Sequence, residues 1–142
     1  MPKIDMLQLR KEIKSDEGVV LHGYQDHLGY LTIGVGRLID KRKGGGISEF
    51  EADFLLDNDL NKIIGLLDFK LPWIMALSDA RQRALINMAF QLGVNGLLNF
   101  KTMLTALKEG RYEDAAKAAM ASKWAQQTPE RAKRIANIFK NG

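Results

Sequence analysis

Glu17, Asp26 and Thr32 fall within the stretch KSDEGVVLHGYQDHLGYLTIGVGR, residues 14–37, with eight residues between the first pair and five between the second. Two carboxylates and a hydroxyl are what cleavage of a glycosidic bond requires. One carboxylic acid, kept protonated, donates to the leaving oxygen. The second carboxylate either activates a water or attacks the sugar itself. A nearby hydroxyl can orient that water. Each residue also has a plain structural use: Glu17 ends a charged helix, Asp26 is a turn former, and Thr32 is a β-branched strand residue. Placement favours the chemical use. A helix end running into a hairpin can bring a carboxylate over a sheet edge, and the hairpin returns Asp26 and Thr32 to the same side.

The elements that must do this positioning are legible. Ile4, Leu7, Leu9 and Ile13 repeat at helical spacing, which predicts a helix from about Ile4 to Lys14 that stops by Gly18. VVLHGY, YLTIGVG and RLI are β-branched or aromatic runs broken by glycines, so residues 19–39 read as short strands with a hairpin turn at QDHLG. DKRKGGG is a basic loop. Ser48 and Glu51 form a capping box, and the stripe Phe54, Leu56, Leu60, Ile63, Ile64, Leu67 continues a helix of about 18 residues, roughly 27 Å long. Pro72 breaks it. Ser78 or Asp79 opens the next helix, apolar nearly all round from Ala84 to Phe90 and so expected to be buried. Gly93 and Gly96 interrupt it, Gly110 stops a short helix, residues 112–125 read as one Ala-rich amphipathic segment, and Thr128 with Pro129 starts the last helix.

This predicts one α+β, mostly helical domain over residues 1–142: a small N-terminal β-hairpin lobe at about 15–60, a long connecting helix at about 48–66, and a helical C-terminal lobe at about 70–142 that includes the N-terminal helix. Other chemistries are poorly served. DNDLNK, residues 57–62, starts like a calcium loop but has Lys62 where glycine is needed. His22 and His27 lack a third ligand for zinc, and cysteine is absent, so no metal is expected. GVGRLI lacks the third glycine of a dinucleotide loop.

The net charge is +4 and the pI about 9.4, which favours polyanions. Nucleic acid is not the expected partner, because the basic residues are dispersed among 17 acids and no nucleic-acid motif is present. The N-terminal residues are charged with no apolar core, so no signal peptide is expected. No apolar run approaches the roughly 20 residues of a membrane span.

Three blocks in order carry a resemblance. DEG…YQDHLGYLTIGVG resembles the catalytic signature of the phage-type lysozymes, glycoside hydrolase family twenty-four. ALINMAFQLGVNG resembles that family's central helix and following turn, and SKWAQQTPERAKRI its C-terminal segment. The resemblance covers nearly the whole chain and implies a lysozyme-like fold. It also implies an endolysin-type muramidase acting on bacterial peptidoglycan, with inversion at the anomeric carbon and no cofactor. It makes Glu17 the general acid, and Asp26 with Thr32 the holders of the water. A lytic transglycosylase would need only the acid, so Asp26 argues against one. Leu38 and Phe90 match apolar sugar contacts of the family, and Gln91 a polar one. Met103 and Ala118 stand at two further sugar-contact positions, where they cannot repeat polar contacts. Arg37 replaces a histidine that pairs with an aspartate, whose place is taken here by Asp59. The family further implies a monomer without stable membrane insertion. It would accumulate in the cytoplasm of the producing cell and reach the wall through a separate membrane lesion.

Overall fold

The computed structural model describes residues 5–35, 37–39 and 46–142. It divides into two compact units, 1–55 and 56–142. Helix α1, Met6–Glu17, begins at Asp5, whose side chain accepts the Gln8 amide. The expected start at Ile4 lies outside the described residues. Gly18 ends α1 at φ 76°, a left-handed conformation open to glycine, and its amide donates to the Lys14 carbonyl.

Strands β1 (Val20–Gln25), β2 (Leu31–Gly34) and β3 (Arg37–Leu38) follow in a three-stranded antiparallel sheet of order β1-β2-β3. The expected turn is present. The Asp26 amide donates to the Tyr30 carbonyl and the Gly29 amide to the Asp26 carbonyl, both at 2.9 Å, with Gly29 at φ 86°. Tyr24 pairs with Thr32, and Thr32 with Leu38.

Helix α2, Glu49–Lys70, is longer than expected at 22 residues, and the boundary between the units falls within it. At its start Ser48 caps as predicted, its Oγ accepting the Glu51 amide at 3.1 Å, and the Glu51 carboxylate turns back to accept the Ser48 hydroxyl at 3.1 Å. The apolar stripe is buried only at Leu67. Phe54, Leu56 and Ile64 are exposed, because the core reaches α2 at Leu67 with Ile63 packed against it. Pro72 opens a short 3-10 helix, Pro72–Ala76.

The second unit continues as α3 (Asp79–Leu92), α4 (Val94–Leu98), α5 (Lys101–Lys108), α6 (Tyr112–Met120), α7 (Lys123–Gln127) and α8 (Pro129–Asn141). Ser78 caps α3 by accepting the Arg81 amide at 3.2 Å. The single segment expected at 112–125 is in fact two helices. Ser122 divides it by accepting the Ala125 amide and donating its hydroxyl to the Ala119 carbonyl at 2.6 Å. Thr128 does precede α8, but its hydroxyl donates backward to the Trp124 carbonyl at 3.0 Å and does not cap.

Leu67, Ile74, Leu85, Met88, Leu97, Met103, Leu107 and Phe139 are fully buried, each contributing about 1.5–3 kcal/mol of transfer free energy. On α3, Ala84, Leu85, Met88 and Ala89 are buried, but Phe90 is exposed, so the all-round burial expected there is one-sided. Arg81 enters this core almost fully buried. Its Nε donates to the Phe139 carbonyl at 2.9 Å, and its guanidinium lies 3.4 Å over the Tyr112 ring, tying α3 to α8 and α6.

Candidate active site

The turn after β1 is built around one carboxylate. Asp26 Oδ1 accepts the Leu28 amide at 2.9 Å and the Tyr30 amide at 2.8 Å, an arrangement that suits a turn aspartate. These bonds favour the ionised form. The Tyr30 amide is the largest influence holding the Asp26 carboxyl below its ordinary range, and partial desolvation opposes it. Oδ2 is the oxygen left for other work: among the described residues, none donates to it.

Thr32 stands next along the chain on β2 and is buried. Its hydroxyl donates to the Tyr30 carbonyl at 3.1 Å. With its single hydrogen committed there, Oγ1 is left to accept. The Tyr30 main chain therefore holds both groups, Asp26 through its N–H and Thr32 through its C=O.

Glu17 is the last residue of α1 and is exposed. The turn at Gly18 sends the chain directly into the sheet. Glu17, Asp26, Thr32 and Leu38 line one groove of about 720 Å³ within the first unit, together with Tyr24, Gln25, His27, Leu28 and Tyr30. Four of the six residues singled out in the sequence thus share one surface. Tyr24 and Tyr30 were missed there. Strand alternation was the signal that could have found them, since Tyr24 and Asp26, and likewise Tyr30 and Thr32, are two residues apart.

The other two residues lie in the second unit. Phe90 lines a separate groove of about 730 Å³ with Asp59, Lys62, Leu66, Lys70 and Asn95. Gln91 is engaged with a side chain of its own unit: its Oε1 accepts the Trp124 indole N–H at 2.9 Å. Met103, one of the expected sugar-contact positions, is instead 1% exposed and part of the core. Arg37 has Glu51 as its acid partner, at 2.6 Å, where the sequence pointed to Asp59. That guanidinium holds the Glu51 carboxyl below its ordinary range, with the Ser48 hydroxyl adding to the effect. Among the described residues, no three acidic or histidine side chains converge as a metal site needs.

A family model described as phage lysozyme matches residues 14–137. The chain belongs to the phage lysozyme family. Its α+β, mostly helical architecture with a small antiparallel sheet is lysozyme-like, as expected. It is 36% identical over 168 residues to the pre-baseplate central spike protein Gp5 of Enterobacteria phage T4, a match covering 99% of this chain and 28% of that protein. The chain therefore spans little more than a quarter of the spike protein. It is 30% identical over 161 residues to the probable T4-type lysozyme 1 of Dictyostelium discoideum, with 94% of each covered. An endolysin of Acyrthosiphon pisum secondary endosymbiont phage 1 is 27% identical over 114 residues, covering 80% of this chain and 75% of that one.

Proposed function

We propose that this phage lysozyme family member is an inverting muramidase. Its substrate is the β-1,4 bond between N-acetylmuramic acid and N-acetylglucosamine in bacterial peptidoglycan, and its role is that of an endolysin in host cell lysis. The observation that carries this reading is the shared groove of Glu17, Asp26 and Thr32.

In the reaction, a water donates one hydrogen to Asp26 Oδ2 and the other to Thr32 Oγ1. Both acceptors are fixed by the Tyr30 main chain. The water keeps a lone pair for the anomeric carbon and attacks it from the face opposite the leaving group. Asp26 takes the proton that the water loses, and Glu17 gives one to the departing sugar oxygen. The chain's own groups complete this proton exchange without a cofactor.

The excess of basic residues suits an anionic envelope. Among the described residues, no helix is long and apolar enough to cross a membrane. In this reading the enzyme is a monomer that accumulates in the cytoplasm of the producing cell and reaches the wall through a separate membrane lesion. Mass spectrometry of fragments from purified peptidoglycan tests the reaction. Hydrolysis leaves N-acetylmuramic acid reducing ends; 1,6-anhydro ends would mean a transglycosylase, and reducing-end N-acetylglucosamine a glucosaminidase.

A further inference from the structure

We propose that Tyr24 is a substrate-binding residue whose ring is the platform for the hexosamine at the cleaved bond; this rests on the muramidase reading above. Tyr24 is paired with Thr32 across β1 and β2, and Thr32 with Leu38 across β2 and β3. Directly paired residues put their side chains on one face of a sheet, with Cβ atoms about 4.5–5.5 Å apart. Tyr24, Thr32 and Leu38 therefore form a row across all three strands, and all three line the groove with Glu17 and Asp26. Tyr24 stands one side chain from the hydroxyl that receives the water, and two residues before the carboxylate that receives its proton.

The ring has no demand on it from a core. Among the described residues of the first unit, Thr32 is the one buried side chain and no apolar one is buried. Tyr24 is half-buried in the groove wall, and among the described residues none is hydrogen-bonded to its hydroxyl. A pyranose has an apolar face of C–H groups and a polar rim. A tyrosine offers a flat apolar face and a polar tip. Lying over Tyr24, with Leu38 beyond Thr32 as the second apolar wall, the sugar presents its anomeric carbon to the water on Asp26 and Thr32.

The test uses the full chain with soluble, peptide-free glycan chains as substrate. Tyr24→Leu keeps apolar bulk but removes the ring, and Tyr24→Phe keeps the ring. With unchanged melting temperatures, Tyr24→Leu should raise KM about three- to tenfold, the scale of an aromatic contact. Tyr24→Phe should stay within about twofold of the wild type on the same scale. In a Glu17→Gln background, the glycan Kd should weaken by the same factor on adding Tyr24→Leu. Wild-type KM for Tyr24→Leu, or a loss in Tyr24→Phe equal to that in Tyr24→Leu, overturns the platform. Neither result would restore activity to Glu17→Gln, so the platform can fail while the muramidase reading stands.

Discussion

The Tyr30 amide sits 2.8 Å from Asp26 Oδ1, and the carbonyl of the same residue takes the Thr32 hydroxyl at 3.1 Å. One stretch of main chain thus sets the spacing of two side chains. Their shared task would be to receive the two hydrogens of a water, and the direction of the Thr32 bond gives this a consequence. Thr32→Val keeps the shape of the side chain but removes the acceptor and one of the donors to the Tyr30 carbonyl, which keeps the Asp26 amide. Activity should fall about 10-fold or more, toward the range of a lost positioning contact. Stability should fall by about 1 kcal/mol. Thr32→Ser should keep most of both. Initial hydrolysis rates and denaturant melts on the two variants measure this; an active Thr32→Val protein would remove the hydroxyl from the water site.

Asp26 ties stability to pH. Its folded carboxyl titrates below its ordinary value of 3.8, with the Tyr30 amide as the first cause. A depressed carboxyl contributes stability that is fully present above the unfolded value and is lost as pH falls through the folded one. The melting temperature should therefore hold from neutrality down to about pH 4 with respect to this group, and then drop. Asp26→Asn keeps an oxygen for both amides but cannot take a proton. It should fold, lose activity, and lack this part of the acid dependence. Melts of the two proteins between pH 2 and 7 provide the comparison, and identical acid limbs would contradict it.

Arg37 and Glu51 join the end of the sheet to the start of α2, and Glu51 also serves the Ser48 cap. Both partners are part-exposed, at 58% and 27% of the side chain, so the coupling should be small and should shrink further with salt. Glu51→Gln should cost more than Arg37→Gln, because Glu51 also accepts the Ser48 hydroxyl at the start of α2, whereas the further bond that Arg37 makes, to the carbonyl of its neighbour Leu38, is exposed. A double-mutant cycle on melting temperature at low and high salt checks this. A large, salt-independent coupling would mean that the pair is shielded from water.

The second unit has its own test. Arg81→Leu removes the donor to the Phe139 carbonyl and the cation over Tyr112. Leaving that carbonyl unpaired should cost about 1–3 kcal/mol. Urea unfolding followed by circular dichroism measures it, and an unchanged midpoint would mean that water or a neighbour replaces the guanidinium.

Much of this arrangement could be read in the chain, because it rests on local signals. Gly18, Gly29, Ser48, Ser78 and Pro129 each mark a boundary through backbone or cap chemistry, and each stands at one. Glu17, Asp26 and Thr32 could be singled out because a helix end, a turn and a strand follow one another closely. What escaped depends on contacts distant in sequence or on the direction of a hydrogen bond. Ser122 splits an Ala-rich run that contains no glycine or proline, and it does so by bonding Ala119 and Ala125. Thr128 has the composition of a cap, yet the Trp124 carbonyl claims its hydroxyl. Arg37 finds Glu51, which the Ser48 cap fixes at the start of α2. Alternation alone puts Tyr24 on the side of Asp26, but its place beside Thr32 comes from the pairing register, which no single strand reveals. Met103 fits the amphipathic pattern of α5, but only the packing decides that it is core.

The general acid carries the whole reading, and one substitution isolates it. Glu17→Gln preserves size and hydrogen bonding but cannot deliver a proton to the leaving oxygen. Rates of reducing-end release from purified peptidoglycan should be compared for the wild type and Glu17→Gln, with melting temperatures measured alongside. The expected result is a variant that melts like the wild type and hydrolyses at least about 100-fold more slowly. A folded Glu17→Gln protein that releases reducing ends at the wild-type rate would reduce Glu17 to the charged end of a helix and contradict the mechanism.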